Sequence, residues 1–278
     1  MRRPNVLELQ KKAIGIRKDV LKMLMIARSG HTGGSLSAVD ILVALYYYKL
    51  RNDPARPDWK GRDRFLLSKG HACPALYAVL ADKGYFPRDL LWTLRRLGSP
   101  LQGHPQMGLS GVEISSGSLG QGLSIADGIA LGARMDGLDT RVYCLMGDGE
   151  TNEGQVWEAA MTAAHYKLDN VCGIVDCNKL QIDGFCCAVK DPGVLKHKWQ
   201  GFGWNAIEVD GHDIKALMDV YDEAEEARGK PTMIIANTVK GKGVSFIENK
   251  AEWHGVAPKK EEYEKAVLEL DEALSKLK

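Results

Sequence analysis

Two short motifs place oxygen-bearing side chains directly after apolar segments. Residues 142–146 are followed by Gly147-Asp148-Gly149, and residues 171–175 are followed by Asp176-Cys177-Asn178. Carboxylate and amide oxygens, completed by phosphate oxygens, are the ligands that Mg²⁺ prefers. A Gly-Asp-Gly tripeptide alone is typical of a turn. Because side chains that follow neighbouring parallel strands face one crevice, the two motifs together predict a magnesium site.

Histidines beside glycines form a second group of candidates. Four of the seven histidines have this setting in predicted loops: His31, His71, His104 and His254. Imidazole can donate, accept or carry charge near neutral pH, which suits it to guiding hydroxyl groups and transferring protons. One such histidine is more typical of a surface or core position, whereas four in one α/β domain favour catalysis. The other three are interpreted as structural: His165, His197 and His212.

Alternating strands and helices must position these groups. Apolar periodicity predicts a helix over 5–28, a second helix from Ser35 or Ser37, and a charged helix after Pro258. Short apolar runs predict buried strands at 64–67, 142–146, 171–175, 206–209 and 232–236, with helices at 74–83, 119–135, 153–166 and 214–228. This alternation is typical of an α/β fold with a doubly wound, mostly parallel sheet and helices on both faces. No linker is evident, so residues 1–278 are expected to form a single domain.

Composition excludes several classes of function. The net charge of +1 across 278 residues creates no global field for nucleic acid or a membrane surface. No run of about 18 apolar residues is present, and the amino-terminal sequence lacks a signal-peptide pattern, so a cytoplasmic protein is expected. The six cysteines form no paired CxxC units and are expected to be small core residues, with Cys186 and Cys187 at most an exposed, oxidation-sensitive pair.

Seven ordered motifs extend this pattern along nearly the whole chain. They are SGHTGGS (29–35), LSKGHA (67–72), GHP (103–105), SSGSLGQGL (115–123), GDGETNEG (147–154), DCNKLQIDG (176–184) and WHG (253–255). In this combination the chain resembles transketolase, specifically its amino-terminal, diphosphate-binding domain. The resemblance implies a thiamine diphosphate-binding fold, with thiamine diphosphate and Mg²⁺ as cofactors and Ca²⁺ or Mn²⁺ as substitutes. It also implies transfer of two-carbon ketol units from ketose phosphates to aldose phosphates, as in pentose phosphate metabolism.

The resemblance also implies a role for each candidate residue. The metal ligands would be Asp148, Asn178 and the backbone carbonyl of Leu180. His31, His104 and His254 would be catalytic and surround the ketose hydroxyls and the reacting carbonyl. The implied cofactor-binding residues are His71, Gly117, Leu119, Gly149, Ile182, Lys69, Lys240 and Glu153.

Several of these implied roles are more specific. The N–H of Gly149 would hold the diphosphate, and Gly117, Leu119 and Ile182 would contact the thiazolium region. Glu153 would be a buried carboxylate near the subunit contact. Lys69 and Lys240 would line the same cleft, although a lysine in a glycine-rich loop is otherwise usually solvated. The sequence departs from the family pattern at Cys177, where the family often has asparagine, which leaves the metal ligand Asn178 in place.

The resemblance stops before the family's pyrimidine-binding domain. The implied partner is therefore a carboxy-terminal transketolase subunit that carries this domain, in a heterotetramer of two plus two chains with the cofactor at the interface. Two alternatives remain open at the level of sequence. One is the alpha-type subunit of a 2-oxo acid dehydrogenase, which uses the same metal motif, and the other is a non-catalytic thiamine diphosphate-binding partner.

Overall fold

The amino-terminal helix shows how local sequence sets the element boundaries. The computed structural model describes residues 3–277, so residues 1, 2 and 278 of the expected domain lie outside it. Helix α1 (Val6–Ala27) begins where the side chain of Asn5 accepts a hydrogen bond from the N–H of Leu7, and ends at Arg28 in the left-handed region. These bounds confirm the predicted first helix.

Five parallel strands form one sheet in the order β1-β2-β3-β5-β4. Their bounds are β1 (Arg64–Leu67), β2 (Val142–Gly147), β3 (Val171–Cys177), β4 (Asn205–Asp210) and β5 (Thr232–Asn237). All five predicted strands are confirmed, each within two residues of its predicted ends. The central strands β2 and β3 pair Gly147 with Asp176 at their carboxyl ends, which brings the two oxygen-bearing motifs side by side.

The predicted long helices are present, and several short ones were not predicted. The observed long helices are α4 (Cys73–Lys83), α5 (Gln121–Met135), α6 (Gly154–His165), α9 (Ile214–Glu226) and α10 (Lys260–Lys276). The second predicted helix begins earlier than expected and is divided into α2 (Thr32–Ser37), α3 (Val39–Ala44) and a π-helical turn, Leu45–Lys49. The unpredicted helices are α7 (Cys186–Val189), α8 (Leu195–Gly201) and the 3₁₀ turns Gly70–Ala72, Arg88–Thr93, Gly149–Asn152 and Ala251–Trp253.

Two hydrophobic layers enclose the sheet. Along β2, Tyr143 and Leu145 point into one layer, while Cys144 and Met146 point into the other, because successive side chains of a strand face opposite sides. Both faces are therefore covered, as expected for a parallel sheet. This architecture confirms the predicted fold class.

The cysteines mostly match expectation, with one correction. Cys73, Cys144 and Cys172 are buried. Cys186 and Cys187 are not an exposed pair, however. Cys186 is only 4% exposed, whereas Cys187 is exposed, because α7 directs one toward the protein and the other toward solvent. Within residues 3–277, no helix combines the length and apolarity needed to cross a lipid bilayer.

Candidate active site

A cavity of about 380 Å³ opens at the carboxyl edge of the sheet, where β2, β3 and β5 end. Loops and helix starts converge at this edge in α/β folds. All fourteen candidate residues from the sequence line this cavity: His31, Lys69, His71, His104, Gly117, Leu119, Asp148, Gly149, Glu153, Asn178, Leu180, Ile182, Lys240 and His254. Residues separated by more than two hundred positions thus meet in one place.

Asp148 is a buried carboxylate held by backbone groups. It is 2% exposed, and its two oxygens accept hydrogen bonds from the N–H groups of Gly149 at 2.8 Å and Lys179 at 2.5 Å. Burial and the neighbouring Asp176 raise the pKa of Asp148 to about 6. A carboxylate in this setting is stabilised in its charged form by a bound cation.

The donor set at this position fits a hard cation. No cluster of three or more His, Cys, Asp or Glu side chains suited to a metal occurs in residues 3–277. The cavity lining around Asp148 also includes Asn178 and Leu180, which carry a side-chain amide oxygen and a backbone carbonyl oxygen. Oxygen-only coordination completed by phosphates is the preference of Mg²⁺, so these residues fit that ion.

Lys69 is a buried ion-pair partner. It is only 1% exposed, so the solvated alternative is wrong for this lysine. Its ammonium lies 2.5 Å from Asp176 and donates to the backbone carbonyl of Gly34 at 3.1 Å. Ser37 and Thr238 also donate to Asp176. Burial alone would raise the pKa of Asp176, but Lys69 and these hydroxyls hold it below its usual value.

Lys240 is equally buried but has no carboxylate partner among the described residues. Its ammonium lies 2.7 Å from Nδ1 of His254 and 3.4 Å from the backbone carbonyl of Leu180. Burial and the charge of Lys69 lower the pKa of Lys240 to about 8. An uncompensated cation that lines the cavity suits a ligand with negative charge, such as a diphosphate.

The four glycine-flanked histidines form one cluster. The ring centroids of His31 lie 5.1 Å from His71, 6.2 Å from His104 and 5.5 Å from His254. Burial is the main cause that lowers the pKa of each ring, to about 4 for His31 and about 3 for His254. All four rings are therefore neutral near pH 7. Nδ1 of His31 is buried without a hydrogen-bond partner in the protein.

Two carboxylates of the GDGETNEG motif differ in exposure. Glu153, implied to be buried near the subunit contact, is exposed in the single chain, where it immediately precedes α6, and its burial at a subunit contact stays a prediction. The buried carboxylate of this motif is Glu150, which is 3% exposed and accepts hydrogen bonds from the N–H groups of Gly120 and Gly147. The N–H of Gly149 donates to Asp148, so its role toward a diphosphate stays a prediction.

Sequence reasoning passed over Glu150 although it immediately follows the Gly-Asp-Gly motif. A carboxylate in the turn after a buried strand, close to two glycine-rich segments with free N–H groups, is the signal that could have identified it. By joining Gly120 to Gly147, Glu150 holds two walls of the cavity together.

The contacts of His212 agree with a structural role, and one of them lies close to the cavity. Its Nδ1 lies 2.7 Å from Asp40, and its Nε2 accepts a hydrogen bond from the N–H of Val239 at 2.8 Å. This bond anchors the residue that precedes Lys240. The neighbouring Asp213 caps α9 by accepting from the N–H of Ala216, as expected, while His165 and His197 are exposed.

Comparison with known proteins identifies the family. Residues 10–271 match the family model described as transketolase, thiamine diphosphate binding domain. The chain belongs to the transketolase family. The 6-deoxy-6-sulfo-D-fructose transketolase subunit SqwG of Clostridium sp. is 46% identical over 95% of this chain and 97% of its own length. An apulose-4-phosphate transketolase subunit of Phocaeicola vulgatus is 42% identical over 94% of this chain and 93% of its own length.

Solved transketolase structures share the fold. Transketolase from Campylobacter jejuni superposes with a TM-score of 0.92 at 33% identity, covering 96% of this chain and 43% of the solved chain. Transketolase from Pichia stipitis in complex with sedoheptulose-7-phosphate gives a TM-score of 0.87 at 30% identity, covering 97% and 45%. The chain thus spans less than half the length of these transketolases. The resemblance drawn from the motifs is confirmed, as is the thiamine diphosphate-binding fold.

Proposed function

We propose that this chain is the diphosphate-binding subunit of a two-chain transketolase that transfers two-carbon ketol units from ketose phosphates to aldose phosphates. One observation carries the proposal: all fourteen candidate residues line a single cavity at the carboxyl edge of the sheet. Family membership and relatives whose names contain the word subunit support it. The sugars named for those relatives differ, so pentose phosphate metabolism is one of several candidate settings.

The chain's oxygen donors and lysines would hold the cofactor. Asp148, Asn178 and the Leu180 carbonyl would bind Mg²⁺, with Ca²⁺ or Mn²⁺ as substitutes, and the ion would supply positive charge that offsets the charge of the diphosphate. Lys240 would neutralise the remaining phosphate charge, since it has no carboxylate partner. When bound, thiamine diphosphate would supply a nucleophilic carbon and an electron sink for the negative charge left when the bond next to a ketone is broken.

The histidines would act on the sugar. With lowered pKa values, His31, His104 and His254 are neutral at pH 7. A neutral ring accepts a hydrogen bond at one nitrogen and donates from the other. Because the ammonium of Lys240 donates to Nδ1 of His254, that ring has its Nε2–H free to donate to the sugar. Such groups position a polyhydroxylated substrate and move protons to and from its carbonyl oxygen. His71 would face the diphosphate, and Gly117, Leu119 and Ile182 the thiazolium side.

We further propose that residues 1–278 form one domain and that the pyrimidine-binding domain belongs to a second chain. Two copies of each chain would assemble, with the cofactor between them. The exposed Glu153 and Ile182 line the cavity mouth, where a partner would cover them. A cytoplasmic location remains a prediction of the sequence.

The test is ketol transfer with and without a partner. The chain would be co-purified with a chain from the same source that carries a transketolase pyrimidine-binding domain. The assay would offer thiamine diphosphate, Mg²⁺, an aldose phosphate acceptor and a panel of ketose phosphate donors, with products measured by mass spectrometry. We expect transfer by the pair and none by either chain alone. Robust turnover by this chain alone would refute the two-chain proposal.

Two variants connect that activity to this cavity. We expect His104→Ala and His254→Ala to lower turnover by roughly 10²–10⁴-fold, as for other positioned proton-transfer groups, with cofactor affinity little changed. His197→Ala, at an exposed position away from the cavity, is the matched control. If the pair binds thiamine diphosphate but transfers nothing, the non-catalytic alternative is favoured. The oxo acid dehydrogenase alternative is disfavoured by the family to which the chain belongs.

A further inference from the structure

Arg95 lies behind the histidine cluster and does not line the cavity. It follows the 3₁₀ turn Arg88–Thr93, and its backbone adopts φ of 61°, a left-handed conformation that is uncommon outside glycine. The N–H of Arg95 donates to the carbonyl of Leu101 at 2.8 Å. This bond fixes the residue at the base of the segment that leads to His104.

The guanidinium of Arg95 packs between two loops that each carry a cavity histidine. One of its terminal nitrogens donates to Oγ of Ser29 at 3.2 Å. A Cβ atom added at Gly103 would lie 2.6 Å from its central carbon, and one added at Gly30 would lie 3.7 Å from Nε. Gly30 and Gly103 immediately precede His31 and His104, so one side chain contacts the approach to both rings.

The charge of this guanidinium is not compensated by a neighbouring carboxylate. Among the described residues, Arg95 is in no ion pair, and its Nε is buried without a hydrogen-bond partner. A single hydroxyl bond at 3.2 Å is weak compensation for a partly buried cation. Its field therefore acts on whatever titratable groups lie nearest.

Those groups are His31 and His104, together with the buried Cys73 and Tyr77. His31 is influenced by the cations Arg95, Lys69 and Lys240, and the rings of His71, His104 and His254 surround it. For His104, Arg95 is the single charged influence, and the neutral ring of His31 is a titratable neighbour at 6.2 Å. His104 is therefore the ring on which the effect of Arg95 can be isolated.

We propose that Arg95 is a positioning residue that joins the loops of His31 and His104 and places an unpaired positive charge behind both rings. A nearby cation disfavours the imidazolium form. After burial, which is the larger cause, Arg95 is the next influence that lowers the pKa of each ring. Arg95 thereby extends to lower pH the range in which both histidines are neutral and able to accept protons. The effect on turnover rests on the proposed function, whereas the effect on histidine titration does not.

Histidine titration by NMR on the full-length chain tests the proposal. Four proteins would be compared: wild type, Arg95→Met, Arg95→Lys and Arg96→Met. Arg96 is the matched control, because it is the adjacent arginine but is exposed. We expect the pKa of His104 to rise by about half a pH unit or more in Arg95→Met, and to remain near wild type in Arg95→Lys and Arg96→Met.

Two results would overturn the inference. One is an unchanged His104 titration in Arg95→Met, and the other is an equal rise in Arg96→Met. If Arg95→Met does not fold, Arg95→Gln, which also removes the charge, is measured in the same way against the same criteria.

The pH profile of the assembled enzyme provides the functional readout. In Arg95→Met, we expect the acidic limb of the turnover profile to move to higher pH by the same amount as the His104 titration. A purely structural role would lower turnover equally at every pH and leave the limb in place. Absence of ketol transfer by wild type would count against the proposed function, while the NMR result would still decide the role of Arg95.

Discussion

At the scale of single residues, the environment of Asp148 links structure to cofactor binding. Its oxygens accept hydrogen bonds from two backbone N–H groups. The pKa of Asp148 is nevertheless raised to about 6, chiefly because the carboxylate is buried. Two hydrogen bonds therefore do not fully compensate for the loss of water around this carboxylate. A divalent cation at this position would complete that compensation.

We expect Asp148→Ala to abolish Mg²⁺-dependent retention of thiamine diphosphate. The loss in affinity should exceed about 100-fold, because even outer-shell partners of a metal contribute 10–100-fold. Asn178→Ala should act in the same direction but less severely, since it removes a neutral ligand. The measurement is calorimetry of cofactor binding by the assembled enzyme with and without Mg²⁺.

Asp183→Ala is the control for this prediction. Asp183 also lines the cavity, but it is exposed and is not among the proposed ligands. Its removal should leave Mg²⁺-dependent affinity within a few-fold of wild type. Wild-type affinity in Asp148→Ala would remove that residue from the metal site.

At the scale of secondary-structure elements, α5 contains a buried carboxyl group that the proposed mechanism does not use. Asp127 is 2% exposed, and both of its oxygens lack a hydrogen-bond partner in the protein. Burial raises its pKa from 3.8 to about 8. Over this interval the folded state holds a proton that the unfolded state has released. Asp127 therefore makes the fold less stable as the pH rises from about 4 to about 8.

We expect Asp127→Asn to remove this pH-dependent loss of stability. A single group of this kind lowers the free energy of unfolding by up to about 1.4 kcal/mol for each pH unit within the interval. The variant should gain stability relative to wild type between pH 5 and pH 8, because Asn stays neutral. Urea unfolding at several pH values measures the difference. A difference between the two proteins that is independent of pH would contradict the prediction.

At the scale of the whole molecule, apolar side chains are exposed where a partner is proposed to bind. Ile182 is 67% exposed and Phe185 51% exposed, and Ile182 lines the cavity mouth. Exposed apolar surface next to a functional cavity is typical of an interaction site. The proposed partner would cover this surface.

We expect this chain and its partner to co-elute as a complex of two plus two chains. Light scattering coupled to sizing chromatography would give the mass. Ile182→Glu should weaken the complex, because it would place a charge in a surface that the partner covers. Leu97→Glu is the control, since Leu97 is fully exposed and does not line the cavity. A complex equally stable in both variants would exclude Ile182 from the interface.

The sequence alone determined the five strands, the long helices and the family, but not the short helices or the roles of Glu150 and Arg95. Buried parallel strands are short apolar runs, so their positions follow from local pattern. The motifs at their ends, through the family resemblance that they carry, implied fourteen residues that line the cavity. The tertiary structure alone decided which charged groups are buried and what they contact. Lys69 is buried because it meets Asp176, more than one hundred positions away, and Arg95 lies behind two histidine loops. Burial and charge pairing depend on which distant segments pack together, and local sequence patterns do not contain that information.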